Sequence, residues 1–143
     1  MKQDVIIRIK SLIESGDGTD KIEVTTRGKR LVKDKVTYLS YRETDQSGFD
    51  GNSVLIKAEC PKRVTINRLG NAASQLLLET GRRNILSYNT PHGTAAMGIT
   101  CSSISCKKQS DGTEKLSLCY ELDINQELIS KNMIFITIKE CIN

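Results

Sequence analysis

Residues 115–124 read Lys-Leu-Ser-Leu-Cys-Tyr-Glu-Leu-Asp-Ile, so every second side chain from Leu116 onward is largely apolar. Successive side chains of a strand point to opposite faces, and a period of two therefore predicts a strand with one buried and one solvated face. The same alternation recurs along the chain, as at Ile22, Val24 and Thr26. No stretch has the spacing of a long amphipathic helix. The pattern predicts an all-β fold of antiparallel strands.

The alternating runs are separated by polar turns. We place strands at residues 3–14, 21–32, 35–44, 53–60, 62–69, 75–80, 83–90, 94–107, 114–124 and 133–142. The Asp-Gly pairs at 17–18, 50–51 and 111–112 are typical of tight turns, because both residue types accept positive φ.

Two segments leave an alternative open. Residues 71–79 are read as a strand but have the composition of a short helix, and 125–132 has room for a single helical turn.

This many strands in 143 residues must hide their edges, because unpaired edges favour aggregation and closing the sheet removes them. We therefore predict one domain, residues 1–143, that forms a closed or nearly closed antiparallel barrel of about eight to ten strands. A sandwich of two sheets is the alternative, because alternation is the same in both architectures.

The composition is that of a soluble protein, with a net charge of +4, 27% charged residues and 38% hydrophobic residues. No apolar run approaches the roughly 18 residues of a membrane span. The apolar part of the first strand is interrupted by Arg8 and Lys10, which is not typical of a signal peptide. We expect a cytoplasmic protein that does not engage membranes.

The five cysteines are odd in number and scattered, which predicts that most are reduced thiols. Cys101 and Cys106 are five positions apart, so a regular strand would place them on opposite faces. This spacing matches neither a zinc site nor a redox dithiol. We interpret both residues as packing side chains.

Several short motifs occur in an order that resembles a known family. They are Tyr38–Glu43, Gly51, Arg68-Leu69-Gly70, Ser74-Gln75-Leu76, Glu79-Thr80-Gly81, Tyr88–Gly93, Tyr120–Asn125, Glu127–Ser130 and Asn132. The chain resembles the YwiB-like proteins of Gram-positive bacteria, a domain family of unknown function. The resemblance implies a small calycin-like barrel, similar in shape to lipocalins, and it implies no activity. His92 stands where the resemblance leads us to expect an aromatic residue. Gln126 stands where it leads us to expect glycine, which implies a looser last turn.

Five residues are candidates for binding a ligand inside the barrel: Arg68, Tyr41, Glu43, Tyr88 and Tyr120. Arg68 shares strand parity with Val64 and Ile66, so it points inward if they do. A guanidinium there needs an anion to offset its desolvation. The alternatives for Arg68 are an internal salt bridge, with Glu43 or Glu121, and a strand end that reaches solvent. For the tyrosines, whose apolar bodies and polar tips suit a pocket, the alternative is core filling.

Other kinds of site are not indicated. His92 has no neighbour in sequence that would support metal binding or catalysis, and we interpret it as an exposed turn residue. The glycine spacing matches no phosphate loop, so we predict neither a metal nor a cofactor. Four basic doublets lie near predicted strand ends: Lys29-Arg30, Lys62-Arg63, Arg82-Arg83 and Lys107-Lys108. They would form a positive rim if they gathered at one end of the barrel; otherwise they are charges that protect edges. Nucleic acid is disfavoured as a partner, because the doublets lack interleaved aromatic residues.

Three functional hypotheses follow. The first is a non-enzymatic protein that binds a small, partly apolar or anionic ligand in the barrel interior. The second is a structural or interaction module with a solid core, as a homodimer or with another partner, because the last strand is apolar on both faces around Ile134, Phe135 and Ile136. The third, an enzyme, is ranked last, because no nucleophile, base and orienting group can be assembled, and Glu43 and Glu121 are better read as partners of arginine.

Overall fold

The computed structural model describes residues 2–43, 52–70 and 74–141, and within these ranges every regular element is a strand. The strands are β1 (Gln3–Ser15), β2 (Gly18–Lys33), β3 (Val36–Arg42), β4 (Ser53–Glu59), β5 (Arg63–Leu69), β6 (Ser74–Glu79), β7 (Arg83–Thr90), β8 (Gly93–Lys108), β9 (Glu114–Ile124) and β10 (Glu127–Glu140). The all-β prediction is confirmed, since the described part of the chain contains no helix.

The ten strands form one antiparallel sheet in the order β6-β5-β4-β3-β2-β1-β10-β9-β8-β7. Strands that are adjacent in sequence pair with each other, except for β6 and β7, and the two arms of the sheet join where β1 pairs with β10. That junction runs from Val5 opposite Glu140 to Ser15 opposite Ser130. The result is a meander that curls into a nearly closed barrel, as the need to hide sheet edges predicts.

The two ends of the sheet meet at a junction that we call the seam, formed by Cys60, Thr80, Gly81 and Arg82 on one side and Cys101 and Cys106 on the other. The Gly81 N–H donates to the Cys101 carbonyl at 2.9 Å, and the Cys101 N–H donates to the Arg82 carbonyl at 3.2 Å. The Thr80 hydroxyl donates to the Pro61 carbonyl at 2.7 Å. A disulfide between Cys60 and Cys106 crosses the seam.

Alternate side chains of the strands fill the middle of the barrel with a compact apolar core. Its buried members are Val5, Ile7, Leu39, Val54, Ile56, Ala58, Val64, Leu78, Ile99, Cys101, Ile104, Leu116, Leu118, Ile136 and Ile138. Each of these side chains removes apolar surface from water, which is the main term that stabilises the fold. The middle of the barrel, as far as the described residues form it, is therefore filled with side chains.

The last strand begins earlier than its apolar pattern predicts, at Glu127 and not at residue 133. Asn125 and Gln126 form a two-residue turn with positive φ values of 51° and 72°, and the helical turn considered for 125–132 is absent. Residues 130–132 pair with β9 on one side and β1 on the other, which makes them a strand although all three residues are polar. For 71–79, Ser74–Glu79 is a strand, and 71–73 lie outside the described residues.

A bulge in β8 overturns the prediction for Cys101 and Cys106. The register with β9 shifts between Cys101 and Ser103, so one extra residue reverses the parity of the strand beyond it. Both cysteines therefore share the interior face. Cys101 packs in the core as predicted, with 1% of its surface exposed. Cys106 is instead bonded to Cys60, with the two Cα atoms 6.2 Å apart, while Cys101, Cys119 and Cys141 are free.

Replacing Gly28 with alanine is expected to lower the free energy of unfolding by about 1–3 kcal/mol, the range for overpacking. A methyl group on Gly28 would overlap the carbonyl oxygen of Ser40 and lie 2.6 Å from Cδ1 of Ile7. The control is Gly16→Ala, since no heavy atom lies within 4 Å of a Cβ built there. Urea unfolding of both variants checks this expectation, and equal stabilities would contradict it.

Candidate functional site

Three of the predicted site residues meet at one end of the barrel, and we call Tyr41, Glu43 and Arg68 the polar end. Arg68 lies opposite Val54 in the β4–β5 ladder, which places its side chain on the interior face as its parity predicts. Its Nε donates to Oε1 of Glu43 at 2.6 Å and its Nη2 to Oε2 at 3.2 Å. The Glu43 side chain is 5% exposed and that of Arg68 28%. The anion that Arg68 requires is thus supplied by the protein itself, through a two-point ion pair.

The chain just after β3 places Glu43 for this pair. The Glu43 N–H donates to the carbonyl of Asn52 at 2.8 Å, which extends the β3–β4 ladder by one step. Tyr41 packs against the core from the same strand. Burial, the largest cause, and the charge of Glu43 together raise the pKa of Tyr41 to about 12, with the charge of Arg68 opposing them. The polar end is therefore a two-point ion pair beside a neutral phenol.

The structure places the other two candidate tyrosines elsewhere. Tyr120 faces the interior of β9 between Cys101 and Asn132 of the neighbouring strands, and burial raises its pKa to about 12. It packs against the core, as core filling predicts. Tyr88 lies opposite Ala95 in β7, and its side chain falls outside the described part of the structure. Glu121 is exposed, and the partner of Arg68 is Glu43.

We expect alkaline pH to destabilise the protein through Tyr41 and Tyr120. A phenol ionises near pH 10 in an unfolded chain, whereas both pKa values in the folded protein are about 12. The stabilisation from the neutral phenols is therefore complete below about pH 10 and is lost as the pH rises from there to about 12. Absorbance at 295 nm during a pH titration measures this. Tyr41→Phe and Tyr120→Phe should each remove a phenol that ionises near 12; loss of one that ionises near 10 would contradict the assignment.

The opposite end of the barrel holds a pocket of about 160 Å³. Its wall consists of the interior side chains Leu39, Ala58, Leu116 and Ile138 together with the Cys60–Cys106 disulfide. Lys107, Lys108 and Lys115 also line it, and we call the whole the lysine pocket. The space exists because the strands here present the small side chains of Thr37 and Ala58.

The lysine pocket carries an excess of positive charge. Its one acidic lining residue, Glu114, is paired with Arg30, whose Nη1 also donates to Oε1 of Gln3 at 3.0 Å. Within the described ranges none of Lys107, Lys108 and Lys115 makes an ion pair. Glu114, which lies opposite Lys108 in the β8–β9 ladder, is the nearby carboxylate, and three lysines against this one acid leave the lining with a net positive charge.

The basic doublets do not form the uniform rim that was considered. Most of their charges are paired with acids: Lys29 with Asp4, Arg63 and Arg82 with Glu79, Arg83 with Asp123, and Arg30 with Glu114. The Lys107-Lys108 doublet lines the lysine pocket, while Lys29 lines another cavity together with its acidic partner Asp4.

The Arg83–Asp123 pair joins β7 to β9 over Gly98, where a Cβ would overlap both side chains. This hydrogen-bonded pairing raises the pKa of the Arg83 guanidinium and lowers the pKa of Asp123.

One feature of the sequence, the strand parity of Glu114, could have indicated a charged site at this end of the barrel. Glu114 shares parity with Leu116 and Leu118, which places a carboxylate on the interior face beside the turn after Lys108. The disulfide could not be predicted in this way, because the bulge in β8 reverses the face on which Cys106 lies and the sequence does not reveal the bulge.

Four further findings concern other features of the sequence analysis. In the described residues no three His, Cys, Asp or Glu side chains are grouped closely enough to hold a metal ion. His92 lies exposed in a turn, as predicted. On the outer face of β10, Met133 is 37% exposed. No helix within the described ranges has the length and apolar character needed to cross a membrane.

Comparisons with known proteins agree with this architecture. A family model described as a domain of unknown function, DUF1934, matches residues 7–136. The uncharacterized beta-barrel protein YwiB of Bacillus subtilis (strain 168) is 28% identical over 132 residues, which cover 89% of this chain and 88% of that protein. The crystal structure of ywiB protein from Bacillus subtilis superimposes with a TM-score of 0.78, covering 99% of this chain and 94% of that one. Identity over the superposition is 20%, so the structural likeness shows the fold, and the resemblance drawn from the motifs is confirmed.

Proposed function

The chain belongs to the DUF1934 family, a domain of unknown function, and we propose that it is a non-enzymatic protein that binds a small anion with an apolar body in the lysine pocket. The observation that carries the proposal is an apolar cavity lined by three lysines that have no acidic partner among the described residues. An apolar body would displace water from Leu39 and Leu116, and its anionic group would face the ammonium groups.

The size of the lysine pocket limits the ligand. A cavity of about 150 Å³ lined by apolar side chains holds one benzene molecule, and the lysine pocket measures about 160 Å³. Burying five carbon atoms at about 0.8 kcal/mol each contributes about 4 kcal/mol, which alone corresponds to a Kd of about 1 mM. Contacts to partly exposed lysines add at most about 1 kcal/mol each. The apolar body therefore supplies most of the affinity, and the lysines select for an anion.

A titration followed by amide NMR shifts tests the proposal with hexanoate as the probe. Hexanol and acetate are the controls, since one lacks the charge and the other lacks most of the apolar body. We expect hexanoate to bind more tightly than either compound and to shift the resonances of Leu39, Ala58 and Leu116. Lys108→Gln should weaken hexanoate binding, and the matched change Lys21→Gln, which lies on β2 outside the pocket, should not. The proposal fails if hexanoate leaves these resonances unchanged, or if both variants bind equally.

A second candidate function is self-association through the outer face of the barrel. Leu128, Ile129 and Met133 of β10 are exposed large apolar side chains on one strand. A surface of this kind fits a homodimer, and the solid middle of the barrel agrees with an interaction module. Sedimentation at high protein concentration decides it, because a strict monomer would exclude a homodimer through this face.

We also place the protein in the cytoplasm. Three of its five cysteines are free thiols, which is the usual state in a reducing compartment. Fractionation of the host cell tests this placement, and recovery of the protein outside the cytoplasm would contradict it.

A further inference from the structure

The Cys60–Cys106 disulfide is part of both the lysine pocket and the seam. It lines the lysine pocket, and it crosses the seam between the turn after β4 and strand β8. Both residues are exposed, so a small thiol or disulfide in solution can reach their sulfur atoms. A change in this bond therefore acts directly on the wall of the pocket.

Apart from this bond, the seam is held by few interactions. In the described structure its backbone hydrogen bonds join Gly81 and Arg82 to Cys101, and the Thr80 hydroxyl bonds the turn at Pro61. By contrast, β1 and β10 pair continuously from Val5 to Ser15. The Thr80 N–H donates to the Lys62 carbonyl at 3.0 Å, so the turn after β4 reaches β8 indirectly through residues 80–82 and directly through the disulfide.

We propose that the Cys60–Cys106 pair is a reversible redox latch of the lysine pocket: the disulfide form holds the pocket in its binding shape, and the dithiol form releases the ligand. This inference rests on the proposed function. In a reducing compartment a disulfide is usually transient and regulatory, which fits the proposed cytoplasmic location. When the bond is reduced, the Cys60 and Cys106 side chains are free to separate, which changes the wall of the lysine pocket that they form together.

The chemistry is thiol–disulfide exchange with a low-molecular-weight disulfide such as oxidised glutathione. The Cys106 thiolate attacks one glutathione sulfur, which forms a mixed disulfide and releases one glutathione thiolate. The Cys60 thiolate then attacks the Cys106 sulfur, which forms the protein disulfide and releases the second. Two protein thiols lose two electrons and two protons, and one glutathione disulfide becomes two thiols. Lys107 and Lys108 follow Cys106 directly in sequence and also line the pocket, so the exchanging sulfur atoms lie in a region of positive charge.

Hexanoate affinity measured in both redox states tests the latch. We expect the oxidised protein to bind hexanoate at least tenfold more tightly than the same protein in reductant, and Cys60→Ser/Cys106→Ser to behave as the reduced form. Cys119→Ser is the control, because Cys119 is a free thiol outside the seam and the lysine pocket. Circular dichroism of the reduced protein verifies that the barrel remains folded.

Ligand binding and disulfide formation are coupled reciprocally, so ligand binding must also favour the disulfide. A disulfide with only a structural role would not respond to the ligand. Saturating hexanoate should shift the thiol–disulfide equilibrium in a glutathione buffer toward the disulfide by the same factor, as measured by mass spectrometry of alkylated thiols. Equal hexanoate affinity in both redox states overturns the latch and leaves the proposed function intact. Binding in neither state overturns the proposed function.

Discussion

Replacing Arg68 with methionine is expected to lower the free energy of unfolding by about 3–5 kcal/mol, the range for removing one partner of a buried ion pair. The Glu43 side chain is 5% exposed and receives two hydrogen bonds from the guanidinium. Without Arg68 this carboxylate stays buried beside Tyr41, whose phenol lies close enough to sense its charge. Urea unfolding at pH 7 measures the loss.

Two control variants separate the cost of leaving the Glu43 carboxylate buried without a partner from the cost of losing the Arg68 side chain itself. The double variant Arg68→Met/Glu43→Gln should recover much of the stability, because a buried ion pair replaced as a whole costs little. Arg8→Met breaks an ion pair with Glu23 whose arginine side chain is 63% exposed, and it should have a far smaller effect. If Arg68→Met were as stable as Arg8→Met, Glu43 would not depend on Arg68.

Removing the disulfide is expected to lower the free energy of unfolding by about 4 kcal/mol, from the chain entropy that a link of this span removes from the unfolded state. Cys60 and Cys106 are 46 residues apart in sequence, so the bond constrains about a third of the chain. Cys60→Ser/Cys106→Ser avoids leaving one partner as a new free thiol. It should match wild-type protein unfolded in the presence of reductant.

Cys119→Ser is the control for this loss, since Cys119 is one of the free thiols. It should change the stability little in either redox state. A loss of less than about 1 kcal/mol for the double serine variant, relative to oxidised wild-type protein, would show that the seam closes without the bond.

The strands were predictable because alternation is a local property. The stretch Leu116–Ile124 predicts β9 by itself, and the predicted ends of most other strands lie close to the observed ones. The start of β10 was not predictable in this way. Residues 130–132 become a strand because partners from distant parts of the chain lie on both sides, which no local pattern records.

The candidate site was predictable in part for the same reason. Strand parity correctly placed Arg68 inside, but sequence offered both Glu43 and Glu121 as partners, and only the three-dimensional fold selects Glu43. The lysine pocket was missed because it depends on side chains brought together at one end of the barrel. The bulge after Cys101 also reverses parity, so the local rule gave the wrong face for Cys106 relative to Cys101.

The central claim is that the lysine pocket is a binding chamber for an apolar anion, and crystals of the oxidised protein soaked with bromohexanoate test it most directly. Anomalous scattering locates the bromine atom at the end of the apolar body. We predict one bromine peak inside the pocket between Leu39, Ala58 and Leu116, with the carboxylate toward Lys108. An empty pocket, with bromine only on the outer surface of the barrel, would contradict the account.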